Sequence, residues 1–219
     1  MWSGGMNEQA LRAEIVGVAQ AIDRAGFCPS KSGNVSARFE GGLLVTPSGL
    51  PYAQTKPEDL IHLSLDGAVL SGARKPSSEW PFHVEIYKAR PDAQAIVHTH
   101  SPRATALSCT RRGIPAFHYM IALCGGADVR CADYATFGTP ELAANAVQAL
   151  EGRKAVLLAN HGVIALGGSL AGAHQIVAEV ENLAGQYLDI LAAGLEPVIL
   201  DTEEMARVSA KFAGYGKVG

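Results

Sequence analysis

Leu11, Ile15, Val18 and Ile22 fall on one helical face, so the spacing predicts a helix over residues 7–26 that stops at Gly26. The period then changes. "NVSARF" and "GLLVTP", separated by Glu40 and Gly41, predict a hairpin, and "LIHLSLDGAVLSG" repeats the pattern with Asp66 and Gly67 at the turn. "PSSEWPFHVEIYKARPD" predicts a helix opened by serine caps, with Pro81 near its first turn and Arg90 at its end. "AQAIVHTH" is a strand pattern, and a helix follows across Pro102 to Thr110. "PAFHYMIALCGG" is apolar but punctuated by glycine, which fits a loop or a short strand.

"TPELAANAVQALEG" predicts a helix with Thr139 at the N-cap and Pro140 at the first helical position. "KAVLLANHGVIALGG" predicts two strands broken at Asn160-His161-Gly162. Residues 169–193 carry the longest helical pattern, and "DTEEMARVSAKFAGYG" a shorter capped one. There is no internal repeat, linker or low-complexity stretch. This alternation predicts an α/β fold, one domain over 1–219 with a central sheet and helices on its faces. Residues 1–6 are expected to be a frayed N-terminus.

Composition narrows the function classes. Of 219 residues, 48% are hydrophobic and 18% charged, the balance of a soluble globular protein with room for one sizeable core. A formal charge of -3 lacks the basic stripe that nucleic acid requires, so no nucleic-acid partner is expected. No stretch approaches the roughly 20 apolar residues of a membrane span, so no membrane partner is expected either. The opening "MWSGGMNEQALRAEI" has no basic region followed by an apolar one, unlike a secretory signal. Cys28, Cys109, Cys124 and Cys131 form no C-x-x-C pair and read as reduced thiols, which makes the cytoplasm the expected compartment.

Candidate chemistry centres on histidine. His98 and His100 close the strand pattern of "QAIVHTHSP", and strand alternation points both the same way while Thr99 points away. His161 sits at the glycine-adjacent break of "LLANHGVIA", where an imidazole can project into a cleft. His62, His83, His118 and His174 fit structural or surface roles better. Two histidines one residue apart also occur by chance, so the pair gains meaning only with further ligands. Three imidazoles and a carboxylate suit tetrahedral zinc, and also iron, nickel or cobalt. The candidate carboxylate is Glu79 in "KPSSEWPFH", where a helix start favours the ionised form; a capping-box glutamate is the alternative.

Taken together, "SGNVSAR", "VTPSGLPY", "KPSSEWPFH", "AIVHTHSPRATALS", "IPAFHYM", "YATFGT", "LLANHGVIA" and "KFAGYG" resemble the class II aldolase/adducin-head family over nearly the whole chain. The resemblance implies a central, mostly antiparallel sheet flanked by helices. It implies one Zn2+ per subunit, or another divalent transition metal, held by His98, His100, His161 and Glu79. Glu79 would leave the metal when substrate arrives and act as catalytic base. Substrate phosphate would bind at Gly33 and Asn34, Ser48 and Gly49, and Ser77 and Ser78, small-residue turns whose N–H groups reach an anion, although simple turn chemistry also accounts for them. Tyr119 would be a second catalytic residue, entering the active site from a neighbouring subunit of a homotetramer. Phe137 and the tail residue Tyr215 would lie on the aldehyde side.

The reaction so implied is reversible cleavage of a ketose 1-phosphate, such as L-fuculose 1-phosphate, to dihydroxyacetone phosphate and a short aldehyde through an enediolate. 5-Deoxyribulose or 5-methylthioribulose 1-phosphate are alternative substrates, and a sugar-phosphate epimerase or dehydratase an alternative activity. Related epimerases carry aspartate where this chain has Glu79, which favours the aldolase. Departures from the fuculose-phosphate-cleaving members gather near the aldehyde end, at Thr99, Ser101, Cys124, Asn160 and "GADVRC". An adducin-like interaction domain shares the fold without the metal site, whereas here ligands and base are all present. A cupin jelly roll also opens with H-x-H but fits poorly with the helices predicted at 7–26 and 169–193.

Overall fold

The computed structural model describes residues 7–214. Strands β1 (Asn34–Phe39), β2 (Gly42–Val45), β3 (Ile61–Ser64), β4 (Val69–Ser71), β5 (Ala95–Thr99), β6 (Arg130–Ala132), β7 (Ala155–Leu158) and β8 (Gly162–Gly167) form one sheet in the order β4-β3-β2-β1-β5-β8-β7-β6. Every neighbouring pair is antiparallel except β6 and β7. The helices are α1 (Glu8–Arg24), α2 (Trp80–Ala89), α3 (Pro102–Ser108), α4 (Pro140–Ala149), α5 (Leu170–Ala192) and α6 (Thr202–Gly214). Among the described residues, no helix is long and apolar enough to cross a membrane.

Period-two alternation sorts the strands' side chains onto two covered faces. Val35, Leu44, Val97, Leu157 and Val163 join one buried cluster with residues of α1, α3 and α5. Their neighbours Leu43, Ile96, Val156 and Ile164 join a second with Phe82 and Ile86 of α2 and Leu142 of α4. Central strands apolar on both faces are why "AIVHT" and "AVLL" read as nearly continuous hydrophobic runs. Polar residues interrupt the α2 side of β1 and β5. Asn34 and Ser36 alternate with Val35 and Ala37, and Asn34 stands opposite His98 in the ladder.

The predicted hairpins form, with Glu40 and Gly41 both at positive φ in the first turn, as a two-residue connection between twisted strands demands. Helix α4 starts as expected, the Thr139 hydroxyl accepting from Leu142 N–H. Two expectations need correction, and one strand was not anticipated. "PAFHYMIALCGG" contains a 3-10 helix over Tyr119–Cys124, because His118 caps Met120 N–H while Ile121 and Cys124 face the core. Strand β6 begins at the end of "GADVRC" and closes at Ala132; three residues are too few for an alternation signal, and pairing with β7 creates it. At α2 no serine is the cap. The helix begins at Trp80, Glu79 is its N-cap residue without a capping side chain, and Ser77 Oγ instead accepts from Glu79 N–H.

Helix α3 has a further peculiarity. Ser101 occupies its N-cap but makes no capping bond; the Glu181 carboxylate of α5 accepts from Arg103 and Ala104 N–H groups, each at 2.8 Å. A long-range carboxylate thus satisfies the orphan donors and complements the dipole of the helix that follows the strand bearing His98. Glu181→Ala is expected to lower stability by about 1 kcal/mol, the usual worth of a cap, read as a lower urea midpoint at unchanged slope.

Candidate metal centre

The β5 ladder carries His98 to the end of the sheet, where it is fully buried. His100 lies just beyond the strand, its N–H donating to the Phe27 carbonyl at 3.0 Å. His161 sits in the β7–β8 turn, where Asn160 takes a left-handed conformation (φ 56°) and His161 N–H closes the turn on the Leu158 carbonyl at 3.1 Å. Gly162 makes the approach of turn and strand possible. A Cβ there would lie 2.4 Å from the Thr99 carbonyl oxygen and 3.0 Å from the His100 ring.

The three imidazoles converge nearly at right angles to one another, with centroids 4.8–5.0 Å apart and interplanar angles of 75–88°. Glu79 enters from the start of α2, 7% exposed. Its Oε2 lies 3.2 Å from His98 Nε2 and its Oε1 3.0 Å from His161 Nε2. One donor atom from each of the four residues lies within 4.8 Å of the others.

Protonation shows what this cluster fits. His98 Nδ1 donates to the Val163 carbonyl at 2.9 Å, which fixes its tautomer and turns the Nε2 lone pair inward. That lone pair meets His100 Nε2 at 3.1 Å and the Glu79 carboxylate. Burial first, then His98 and His161, pushes the His100 pKa down to about 3, so its ring is neutral at physiological pH. Burial opposes ionisation of Glu79, but positive charge on the side of His98 and His161 outweighs it and holds its pKa well below the usual carboxylate range; with the ring lone pairs turned inward, a bound cation has to supply that charge. Its buried Oε1 accepts no well-formed hydrogen bond. An ionised carboxylate and inward lone pairs facing one another leave electron density that a divalent cation would satisfy. The residues present therefore fit a metal, and their nitrogen and oxygen donors suit zinc or a neighbouring transition ion.

The cluster opens into a cleft of about 290 Å³ whose wall includes Gly33, Asn34, Ser48, Gly49, Ser77, Ser78 and Phe137. Two of these turns are clamped together, Ser77 N–H donating to the Thr46 carbonyl and Ser48 N–H to the Lys75 carbonyl, both at 3.0 Å. The third is held by the Tyr52 hydroxyl, which donates to the Gly33 carbonyl at 2.6 Å. Gly33 is obligatory in its left-handed conformation (φ 83°), since a Cβ would lie 2.7 Å from the His98 carbonyl oxygen. The Asn34 side chain is not free to reach a ligand, because its nitrogen donates to Ser77 Oγ and Glu79 Oε2. Phe137, 64% exposed, stands on the rim.

Not every predicted residue gathers here. Tyr119 is half exposed in a separate groove, stacked on His118 and Phe212. Tyr215 lies outside the described residues. Conversely, Lys31, Ser32, Tyr134 and Asn160 line the cleft without having been singled out as site residues. The available signals were adjacency to "SGN" for Lys31, membership of it for Ser32, and the "YATFGT" motif for Tyr134.

The Class II Aldolase and Adducin N-terminal domain family model matches residues 13–188. The 5-methylthioribulose-1-phosphate/5-deoxyribulose-1-phosphate aldolase of Rhodospirillum rubrum is 49% identical over 207 residues, covering 94% of this chain and 93% of that protein. The L-fuculose phosphate aldolase of Escherichia coli K12 is 43% identical over 211 residues, with 96% and 98% covered. A solved structure of L-fuculose 1-phosphate aldolase superposes with a TM-score of 0.89 at 42% identity, covering 93% of this chain and 96% of that one.

The centre predicts one tightly bound divalent ion per chain. His161→Ala is expected to weaken that binding by roughly 100-fold or more while leaving the helical circular dichroism intact, as measured by chelator competition with Zn2+ and Co2+.

Proposed function

Because the chain belongs to the Class II Aldolase and Adducin N-terminal domain family, we propose that it is a zinc-dependent aldolase cleaving a ketose 1-phosphate to dihydroxyacetone phosphate and a short aldehyde. The single observation that carries this reading is the Glu79 carboxylate, packed among three imidazoles at the floor of a cleft walled by small-residue turns. His98, His100, His161 and Glu79 would hold the ion, which would supply a Lewis acid polarising the ketose carbonyl and adjacent hydroxyl. Gly33, Ser48, Gly49, Ser77 and Ser78 would take the phosphate through backbone N–H groups and hydroxyls, which explains how a chain of net charge -3 binds an anion. Asn34 contributes its backbone to that wall, its side chain being committed to Ser77 and Glu79.

In the cleavage direction, Tyr119 of a neighbouring subunit would take the proton of the hydroxyl that becomes the aldehyde oxygen. The carbon–carbon bond then breaks and its electron pair stays on the carbon beside the ketose carbonyl. Glu79, protonated by the substrate hydroxyl that would take its place among the imidazoles, would deliver that proton to the carbon, and the proton held at Tyr119 would return to that hydroxyl oxygen; the reverse direction runs the same transfers backwards, with the ionised Glu79 taking the proton from carbon. Tyr119 is exposed and remote from Glu79 in its own chain, so this reading requires active sites between subunits, and a homotetramer supplies them. The enzyme would work in the cytoplasm as one class II aldolase domain.

Among substrates, 5-methylthioribulose and 5-deoxyribulose 1-phosphates stand ahead of L-fuculose 1-phosphate. This reverses the order expected from sequence. The Rhodospirillum rubrum relative, at 49% against 43% identity, supports it.

Glu79→Gln is expected to keep the fold and lose roughly 10²–10⁴-fold in kcat. Near-normal turnover in that variant would remove Glu79 from the mechanism. A coupled assay of dihydroxyacetone phosphate release should give higher kcat/KM for the 5-methylthio- and 5-deoxyribulose substrates than for L-fuculose 1-phosphate. Dehydration without release of that product would overturn the aldolase reading.

A further inference from the structure

A chain of buried polar side chains runs from the second turn of α2 to Glu79, and none of the roles above uses it. It arises from matched periods. Glu79, His83 and Tyr87 recur every four residues along α2, a rise of about 6 Å per step, while Asn34 and Ser36 recur every two along β1, about 6.6 Å. The helix stripe therefore zips against the strand stripe, step for step.

Asn34, 1% exposed, directs its two Nδ2 hydrogens to Ser77 Oγ and Glu79 Oε2, each at 3.0 Å. An ionised carboxylate only accepts, so the amide must present its nitrogen there and its Oδ1 to His83 Nε2. His83 Nδ1 lies 2.7 Å from Ser36 Oγ, which lies 2.9 Å from the Tyr87 hydroxyl. His83 is wholly buried, and burial, followed by the nearby His98, pushes its pKa down to about 3. A neutral imidazole has one N–H, and Asn34 Oδ1 claims it at Nε2. Nδ1 then accepts from the Ser36 hydroxyl, which in turn accepts from Tyr87. All the donors point one way, from Tyr87 to the carboxylate, the arrangement in which hydrogen bonds polarise one another.

We propose that His83 is a positioning residue that acts through Asn34 to fix the orientation of the Glu79 carboxylate between the imidazoles and the cleft. Without the His83 N–H, Asn34 Oδ1 is left without its buried donor, so the amide keeps its nitrogen towards Ser77 and Glu79 but is free to tilt, and the carboxylate it holds tilts with it. The inference rests on the reading of Glu79 as ligand and base, but it concerns a different residue and has its own readout.

His83→Phe keeps the bulk and removes both hydrogen bonds, whereas His83→Gln retains an amide N–H able to donate to Asn34. With the ketose 1-phosphate that the wild type cleaves best, His83→Phe is expected to lose roughly 10–100-fold in kcat with KM changed less than about threefold. His83→Gln should recover to within about fivefold of wild type, because the donor is restored. A second readout needs no substrate. Protein loaded with Co2+ alone should show a visible absorption band that moves in His83→Phe towards that of Glu79→Gln, and stays at the wild-type position in His83→Gln. Unchanged kcat and an unchanged Co2+ band in His83→Phe, with only a lower Tm, would overturn the proposal and leave His83 a packing residue. If the phenylalanine variant does not fold, His83→Met, which also lacks a donor to Asn34 but is more easily accommodated, takes its place, and the same pair of unchanged readings overturns the proposal there. Should the wild type cleave no ketose phosphate, the proposed function fails, while the Co2+ spectra still decide the role of His83.

Discussion

A carboxylate ionised inside a protein is costly unless opposite charge or donors surround it, and the architecture around Glu79 is organised by that constraint. The start of α2 puts the carboxylate where a helix dipole favours it. The end of β5 and the β7–β8 turn bring three imidazoles to it, and β1 contributes the Asn34 amide. Each supplier is fixed in turn by something remote. His98 is locked by the Val163 carbonyl of the neighbouring strand, and His161 depends on a left-handed Asn160 and a glycine that admits the Thr99 carbonyl.

The same economy of charge shapes the cleft. The predicted phosphate-binding residues are turns of glycine, serine and asparagine, with Lys31 on the same cleft wall. Such turns hold anions only if their backbone is rigid. The clamp between residues 46–48 and 75–77 and the tether from Tyr52 to Gly33 supply that rigidity. Because the 75–77 segment leads directly into Glu79 and α2, the proposed anion wall and the proposed base share one continuous piece of chain.

Much of this was legible beforehand. Helices α1, α4 and α5 announced themselves because their apolar stripes and caps are local properties of the sequence. His98 and His100 were legible because strand alternation is equally local. Elements made by partners were hidden. Strand β6 exists through β7, the cap of α3 through Glu181 lying 77 or more residues further on, and the 3-10 turn through the core that receives Ile121. The "GN" turn was legible, but not that ladder pairing with His98 directs the Asn34 side chain to Glu79.

The sequence by itself determined which residues are candidates for the chemistry and that a sheet covered by helices would hold them, because periodicity, caps and ligand types are written within a few neighbouring positions. Only the tertiary structure decided how they meet. Convergence of Glu79 with His98, His100 and His161 spans three separate stretches of chain. The buried line from Tyr87 to Asn34 depends on the register between α2 and β1. Distances of that kind are set by packing two elements together, and no single stretch of sequence contains both sides of the contact.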